Sequence, residues 1–509
     1  MARKLPQRKI KKEKTFVDRA RKFQSIKMWT SNFINFESRH QNIVENFEDR
    51  YNDFRNDEEN KIDPSAEPIN ILCIDGGGLK GYCAISIFEA LQEHYCKEGQ
   101  DLFSQFDLVA GTSVGGIYAY FISLYNGKGY DTEGVALHGR DMMDHVTENS
   151  LRKLTPMNLL CCDDMIQEGT QLKDVLKEFF DIPLLQPHCI PTMTLISAIK
   201  DRDEYSAEEE RIGDIDKRDL EPLIARTYEY PPQPQSLRKI KPLAYSTSSM
   251  KIYEAMAATG AAPMLVDRVR AEVDGKMRSM ADGGIFQNCP LSLAIAEAHR
   301  LYPGRPIGVI MNVGYNDYEE KFIQQTIETT RLLHHNLHFH RIAPNEIMKD
   351  FSAIETNPHN IARMEAKVKD WLLNTPHVRN MTNATLARLF QSAPRSFGSN
   401  ARKVDAAEVR QNLMRQSVRY AKRCEIRSSV QKRVDWYSKL SDWASQSITG
   451  LKFSASSWIT KDKDEMDGQS LGANTQSSSY KRYDSNLSED TFYSRTQQFW
   501  EKYSESFGC

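Results

Sequence analysis

The sequence predicts an α/β fold organised around a mainly parallel sheet, and three observations carry that expectation. The apolar run Ile69-Asn70-Ile71-Leu72-Cys73-Ile74-Asp75 passes through glycines into a segment with Ala84, Ile85, Phe88 and Leu91 at helical spacing. The run Phe106 to Gly111 repeats that order, turning at Thr112 and Ser113 into the apolar stretch that ends at Tyr125. A third amphipathic segment, Thr170 to Phe180, precedes the strand-like Thr192 to Ile199. Short apolar runs alternating with segments of 3.6-residue period imply crossover connections, which parallel strands require.

Taken in order, residues 1–67 read as a basic and polar N-terminal extension. Their first 28 positions hold eleven Lys or Arg against two acids, and the polar stretch Arg55 to Pro68 closes them as a linker. The globular unit is expected over 68–375. Inside it, Lys200 to Pro242 is charged, Pro-containing and weakly periodic, which predicts an exposed loop or lid. Alternation resumes with Met250 to Pro263 as a helix, Ser279 to Pro290 as a turn-rich segment, Leu291 to Tyr302 as a helix and Pro306 to Gly314 as a strand. Residues 376–453 are expected as a basic helical extension, with the basic stretch running from Arg402 to Arg433. Residues 454–509 turn to Ser, Asp, Asn and Lys and are expected to be disordered. No internal repeat is evident.

Bulk properties narrow the function classes. The 509 residues can bury a sizeable core, and 40% hydrophobic with 27% charged residues is ordinary for a soluble globular protein. A net charge of -2 gives no global pull toward nucleic acid, and no nucleic-acid partner is expected. Nine irregularly spaced cysteines behind a basic N-terminus without an apolar signal core predict free thiols and a cytoplasmic setting. Cys161 and Cys162 are adjacent, no paired CxxC occurs and no EF-hand loop is visible, so no metal site is predicted. Leu108 to Tyr125 carries no charge over 18 residues, yet Gly111, Gly115 and Gly116 suit a buried strand turning into a helix rather than a membrane span. Membrane contact is expected to be peripheral, through the basic arm.

Three constellations carry chemistry. Asp75-Gly76-Gly77-Gly78-Leu79-Lys80-Gly81 follows a predicted strand and opens a helix, so its amides can form an anion cradle for a phosphate or an oxyanion. The same letters satisfy GxGxxG, but the next strand ends in Gly111-Thr112, where a dinucleotide fold places an acid for the ribose. Gly111-Thr112-Ser113-Val114-Gly115 is a GxSxG at a strand-to-helix junction. Small neighbours there permit the tight, strained turn that raises a nucleophilic hydroxyl above the sheet. Asp282-Gly283-Gly284, followed by Asn288-Cys289-Pro290, supplies a carboxylate on a glycine turn. Cradle, nucleophile and carboxylate in one α/β unit are parts of one reaction.

With those motifs in that order, the sequence resembles the patatin-like phospholipase family, including its calcium-independent phospholipase A members. The family's DGGGxxG lies at Asp75 to Gly81 with Lys80 as its basic residue, its GTSxGG at Gly111 to Gly116, and its DGG with a following N-x-P at Asp282 to Pro290. The ATSAAP stretch reads Ala258-Thr259-Gly260-Ala261-Ala262-Pro263. Two positions depart from the pattern: Ala257 stands where an Arg is frequent, and Cys289 where the usual NNP has its second Asn.

The resemblance covers roughly residues 68–375 and implies a three-layer αβα fold with a mainly parallel central sheet, and no cofactor. It implies a lipid acyl hydrolase acting on phospholipid or other acyl lipids, with transacylation or non-catalytic lipid binding as alternatives. It also implies a dyad of Ser113 as nucleophile and Asp282 as proton acceptor, with Gly76, Gly77 and Gly78 around the oxyanion. A dyad needs no imidazole, so His334, His335, His338 and His340, in a segment with helical character, are expected as solvated or partly packed surface.

Overall fold

The computed structural model describes residues 43–55, 61–147, 169–199, 220–240, 242–262, 266, 268–315, 319–353, 355 and 357–391. The basic arm before residue 43, the basic stretch Arg402 to Arg433 and the tail 454–509 lie outside the described residues, as does the 201–219 part of the charged insertion.

Helix α1 spans 43–55. The chain continues through β1 (Ile69–Ile74), α2 (Gly81–Tyr95), β2 (Leu108–Thr112), α3 (Val114–Gly127), α4 (Thr132–Val146), α5 (Gly169–Phe180), β3 (Thr192–Ile199) and β4 (Leu220–Arg226). Next come β5 (Tyr245–Thr247), α6 (Ile252–Thr259), β6 (Val269–Val273), β7 (Lys276–Asp282), α7 (Leu291–Leu301) and β8 (Ile307–Val313). The last elements are α8 (Glu320–Arg331), β9 (His338–Ile342), α9 (Pro358–Asn374) and α10 (Pro376–Leu389).

The sheet runs β5-β4-β3-β2-β1-β8-β9, with the β6–β7 hairpin joined to β3 through β7. From β3 to β9 along that path every pairing is parallel. Only β4 and β7 against β3, and the hairpin itself, are antiparallel. The sheet is therefore mixed and mostly parallel, flanked by helices in a three-layer α/β arrangement.

Side-chain alternation along the strands explains why both faces are covered. In β1, Leu72 and Ile74 enter one core with Val109 of β2 and the buried residues of α2, α3, α4, α6 and α9. Ile69, Ile71 and Cys73 enter the other with Leu108, Ala110 and the buried residues of α1, α7 and α8. A strand buried on both sides loses the apolar–polar alternation of a half-exposed strand and becomes a continuous apolar run, which is how β1 reads.

The structure corrects two expectations. Residues 220–226, inside the segment read as loop or lid, form β4 between β3 and β5, with Leu223, Ile224 and Ala225 buried. Pro222, a residue disfavoured inside strands, and a charged approach hid a strand whose inner end alone is apolar. The histidine segment is strand at β9 rather than helix. His334 and His340 are buried, and only His335 is exposed. β9 is the end strand of the sheet, and its polar side chains find partners on the helix packed beside it, so it reads as polar surface: His338 meets the Thr385 hydroxyl at 2.9 Å and His340 that of Thr382 at 3.2 Å.

Two described helices outside the 68–375 span pack on these cores. In α1, Ile43, Phe47 and Tyr51 repeat at four-residue spacing and enter the second core, and the Tyr51 hydroxyl donates to Thr330 O at 2.9 Å. Val378, Leu386 and Leu389 of α10 enter the first. Among the described residues no helix is long and apolar enough to cross a membrane; α3, in the uncharged stretch, is a buried helix of 14 residues.

Candidate active site

Strands β1 and β2 are parallel neighbours paired from Ile71–Leu108 to Ile74–Gly111, so the loops leaving their C-terminal ends lie side by side. In open α/β sheets, ligand sites form at that edge. The first loop is Gly76-Gly77-Gly78 and the second is the turn at Ser113. A Cβ on Gly111 would collide with the carbonyl of Gly115, and one on Gly115 with that of Ile74. Only glycine lets the chain fold back on itself and pass over the end of β1. Ser113 sits in that turn at φ 56° and ψ -130°, a conformation costly for a residue with a side chain. The strain is held from outside the loop: the Ser113 amide donates to Thr259 Oγ1 at 2.9 Å, and the same hydroxyl donates to Leu195 O at 2.7 Å.

Asp282 arrives from the opposite direction. On one side of β3, β2 pairs in parallel up to Thr112–Leu195, and β7 takes over antiparallel from Ile196–Asp282. The two strands thus meet head-on, C-terminal end to C-terminal end, on successive residues of β3. Ser113 is the next residue of one and Asp282 the last of the other, so the serine hydroxyl lies close enough to the carboxyl to pull on its protonation. The Asp282 backbone is tied down by Ser197 Oγ, which donates to its carbonyl at 2.7 Å, and by its own amide, which donates to Ala261 O at 3.0 Å. The Gly284 amide donates to Asp282 Oδ1 at 2.7 Å. Gly283 packs against the Leu195 carbonyl, where a Cβ would collide.

Asp282 is buried, and burial pushes its carboxyl up to about 6, against the pull of the Ser113 hydroxyl and the Gly284 amide. A carboxyl poised there changes protonation near neutral pH, as a proton acceptor must.

The glycine loop divides in two. Gly76 donates its amide to Asn288 O at 3.0 Å and accepts from Asn288 Nδ2 at 2.8 Å, so its N–H is committed and it leaves the expected oxyanion set. Its place beside the Ser113 Cβ makes it a hinge tying the loop to the Asp282 turn. The amides of Gly77 and Gly78 have no acceptor among the described residues, whereas those of Leu79 and Lys80 are bonded to Ala353 O and Gly77 O. The Tyr315 ring backs Gly77, and Gly78 adopts φ 57° against the Ala353 carbonyl. Lys80 Nζ donates to Met348 O at 3.0 Å, holding the start of α2 to the segment after β9. Gly81 lies against Val114, next to the serine turn.

Beneath the loop, the buried Asp75 accepts from Asn312 Nδ2 at 2.7 Å and Arg341 Nη1 at 2.9 Å, and Arg341 also bonds Asn312 Oδ1. Burial still holds the Asp75 carboxyl above its ordinary range, with Arg341 pulling it back down. The Cys289 side chain is buried near this carboxylate and adds a small downward pull on it. Glu319 accepts the Asn288 amide at 2.7 Å and the Cys289 amide at 2.6 Å. Thr259, Ser197, Asn312, Glu319 and Arg341 escaped the reading of the sequence as site residues. Thr259 stood inside a quoted motif, but the other four carry no local signal, because their partners are remote in the chain. The buried histidines are engaged elsewhere: His334 Nδ1 accepts the Ile307 amide at 3.0 Å, and His338 and His340 face α10.

Comparison with known proteins agrees with the motifs. Residues 72–136 match the Patatin family, described as patatin-like phospholipase. Calcium-independent phospholipase A2-gamma of Oryctolagus cuniculus is 26% identical over 275 residues, covering 53% of this chain and 31% of that protein. Phospholipase A I of Arabidopsis thaliana is 21% identical over 380 residues, covering 61% of this chain and 27% of that protein. The chain thus spans about a third of the length of these relatives. Among solved structures, human GIVD cytosolic phospholipase A2 is 11% identical with a TM-score of 0.31, covering 59% of this chain and 50% of that one. The family match and the named relatives support a patatin-like phospholipase.

Proposed function

We propose that this chain, patatin-like in its motifs, is a serine-dependent lipid acyl hydrolase that cleaves fatty-acyl esters of phospholipids or related lipids. The observation that carries the reading is the meeting of the strained Ser113 turn and the buried Asp282 where β2 and β7 end against successive residues of β3, beside two amides with no acceptor among the described residues.

The chemistry follows from that arrangement. Ser113 Oγ attacks the ester carbonyl while its proton passes to Asp282. The carbonyl oxygen gathers negative charge and accepts from the Gly77 and Gly78 amides. Collapse expels the alcohol, which takes the proton back from Asp282, and leaves an acyl-Ser113 ester. Water then gives its proton to Asp282, attacks the acyl group and releases the fatty acid, and the proton returns to Ser113. A raised carboxyl suits both transfers, being basic enough to accept the proton and acidic enough to return it. The steps as proposed use no calcium, and the Oryctolagus cuniculus relative is a calcium-independent phospholipase by name.

The reading is tested by labelling with a fluorophosphonate and by mass spectrometry of products from a defined mixed-acyl phospholipid. Labelling of the wild type but not Ser113→Ala, with fatty acid and lysolipid formed in the presence of a calcium chelator, is the expected result. Unlabelled wild-type protein that forms no product overturns it and returns the chain to a lipid-binding role, and turnover that persists in Ser113→Ala overturns Ser113 as the nucleophile.

A further inference from the structure

On the sheet face opposite α2 and α3, α1 lies over the last turn of α7 and leaves a cavity of about 50 Å³. That is several times the roughly 10–15 Å³ one water needs. Arg50, Tyr51 and Phe54 line it from α1, His299 and Arg300 from α7, and Leu243 from the segment before β5. It contains neither Ser113 nor Asp282.

Its charged and imidazole side chains offer donors. Arg50 Nη1 is buried with no acceptor among the described residues. Arg300 gives Nη2 to Ile240 O at 3.0 Å, and among the described residues no carboxylate is within ion-pair distance of either arginine. The tautomer of His299 follows from its neighbour. The Ile307 amide donates to His334 Nδ1 at 3.0 Å, so a neutral His334 carries its proton on Nε2. That nitrogen faces His299 Nε2 at 3.3 Å, which must then accept, leaving the His299 proton on Nδ1. Burial keeps both rings neutral, His334 being pushed down to about 4. His299 Nδ1 is therefore an N–H donor, buried and with no acceptor among the described residues.

We propose that this cavity is an oxyanion-binding site, taking a phosphate or carboxylate group between Arg50, Arg300 and the His299 Nδ1–H. Arg300 is drawn to the buried Glu297 carboxyl without pairing with it, and the two guanidinium groups still repel each other across a part-buried space with an unused imidazole donor beside them, which an anion in the cavity would relieve. An oxyanion accepts from both forks and from the imidazole, and turns the repulsion into a clamp between α1 and α7. The aromatic and aliphatic walls admit an apolar stem, so the anion is either free phosphate or the head of a short carboxylate amphiphile. The inference does not rest on the hydrolase reading.

The test is thermal unfolding of the full chain in inorganic phosphate, in octanoate and in chloride at matched ionic strength. Wild type is expected to melt on the order of 5 °C higher at saturating phosphate or octanoate than in chloride. The rise should persist in Ser113→Ala, which separates it from occupancy of the serine site, and vanish in Arg50→Gln and Arg300→Gln. A response to phosphate alone identifies a phosphate site, and one to octanoate alone a carboxylate site. Equal melting in all three salts, or an undiminished rise in both arginine variants, overturns the proposal and leaves water as the occupant. Should the variants not fold, titration calorimetry of Ser113→Ala with the two probes decides: saturable binding of either supports the site, and absence of both rejects it.

Discussion

The Thr259 hydroxyl holds the Ser113 amide at 2.9 Å and hands its own proton to Leu195 O at 2.7 Å, joining the serine turn to β3. Ser113 carries a positive φ that only surrounding contacts sustain. Thr259→Val keeps the shape but leaves a buried amide and a buried carbonyl unpaired, at about 1–3 kcal/mol for each group. We expect kcat on a soluble ester to fall at least tenfold with KM little changed, and Thr259→Ser to restore it. Equal activity in the Val and Ser variants would show that the hydroxyl does not position the nucleophile.

The pH profile should report Asp282. Its carboxyl sits at about 6, and only the ionised form accepts the Ser113 proton. Below that pH, kcat/KM is expected to drop about tenfold per unit, and above it to level off. Asp282→Asn should abolish the step, and adding Ser113→Ala should cost little more, because the two act as a unit. An independent, additive loss would separate them.

Stability should move the other way. A folded-state carboxyl at about 6, raised from 3.8, favours the protonated native protein. Its contribution is intact below pH 4 and is lost as pH rises through 6. Removing that charge with Asp282→Asn is therefore expected to raise stability above pH 7 by about 3 kcal/mol, the equivalent of some two pKa units. The gain should disappear near pH 4, as read by denaturant unfolding of both proteins across the range. A constant difference at every pH would mean that the buried charge is not its source.

The glycine loop has a steric test. A side chain at Gly77 runs into the Tyr315 ring, and one at Gly78 into the Ala353 carbonyl at a φ that L residues avoid. Either shift turns the free amides away from the carbonyl oxygen. We expect Gly77→Val and Gly78→Val to lower kcat by about 100- to 1,000-fold. Fluorophosphonate labelling would slow in parallel. A folded Gly78→Val protein with normal turnover would remove these amides from the reaction.

Local chemistry made the motifs legible in the sequence. Glycines at 76–78, 111 and 115 announce a backbone that must turn tightly or pass close to another chain, and a serine between such glycines announces an elbow. The parallel core strands β1, β2 and β3 were readable because burial on both faces leaves their sequences uncharged and mostly apolar. β4 and β9 were not, since their charged and imidazole side chains find partners only once the chain is folded. Gly76 shows the same limit inside a motif: it has the letters of a donor, yet Asn288, 212 residues away, takes its amide.

The sequence by itself determined which groups the chain carries: a serine between glycines, a carboxylate on a glycine turn and a glycine-rich loop. Tertiary structure decided which amides stay free and how the two side chains are placed, because Ser113 and Asp282 come together only where β2 and β7 end against successive residues of β3. Register between strands far apart in the chain sets that meeting, and local sequence does not encode it. Burial, which lifts the Asp282 carboxyl to about 6, is likewise a property of the packed protein and not of any segment within it.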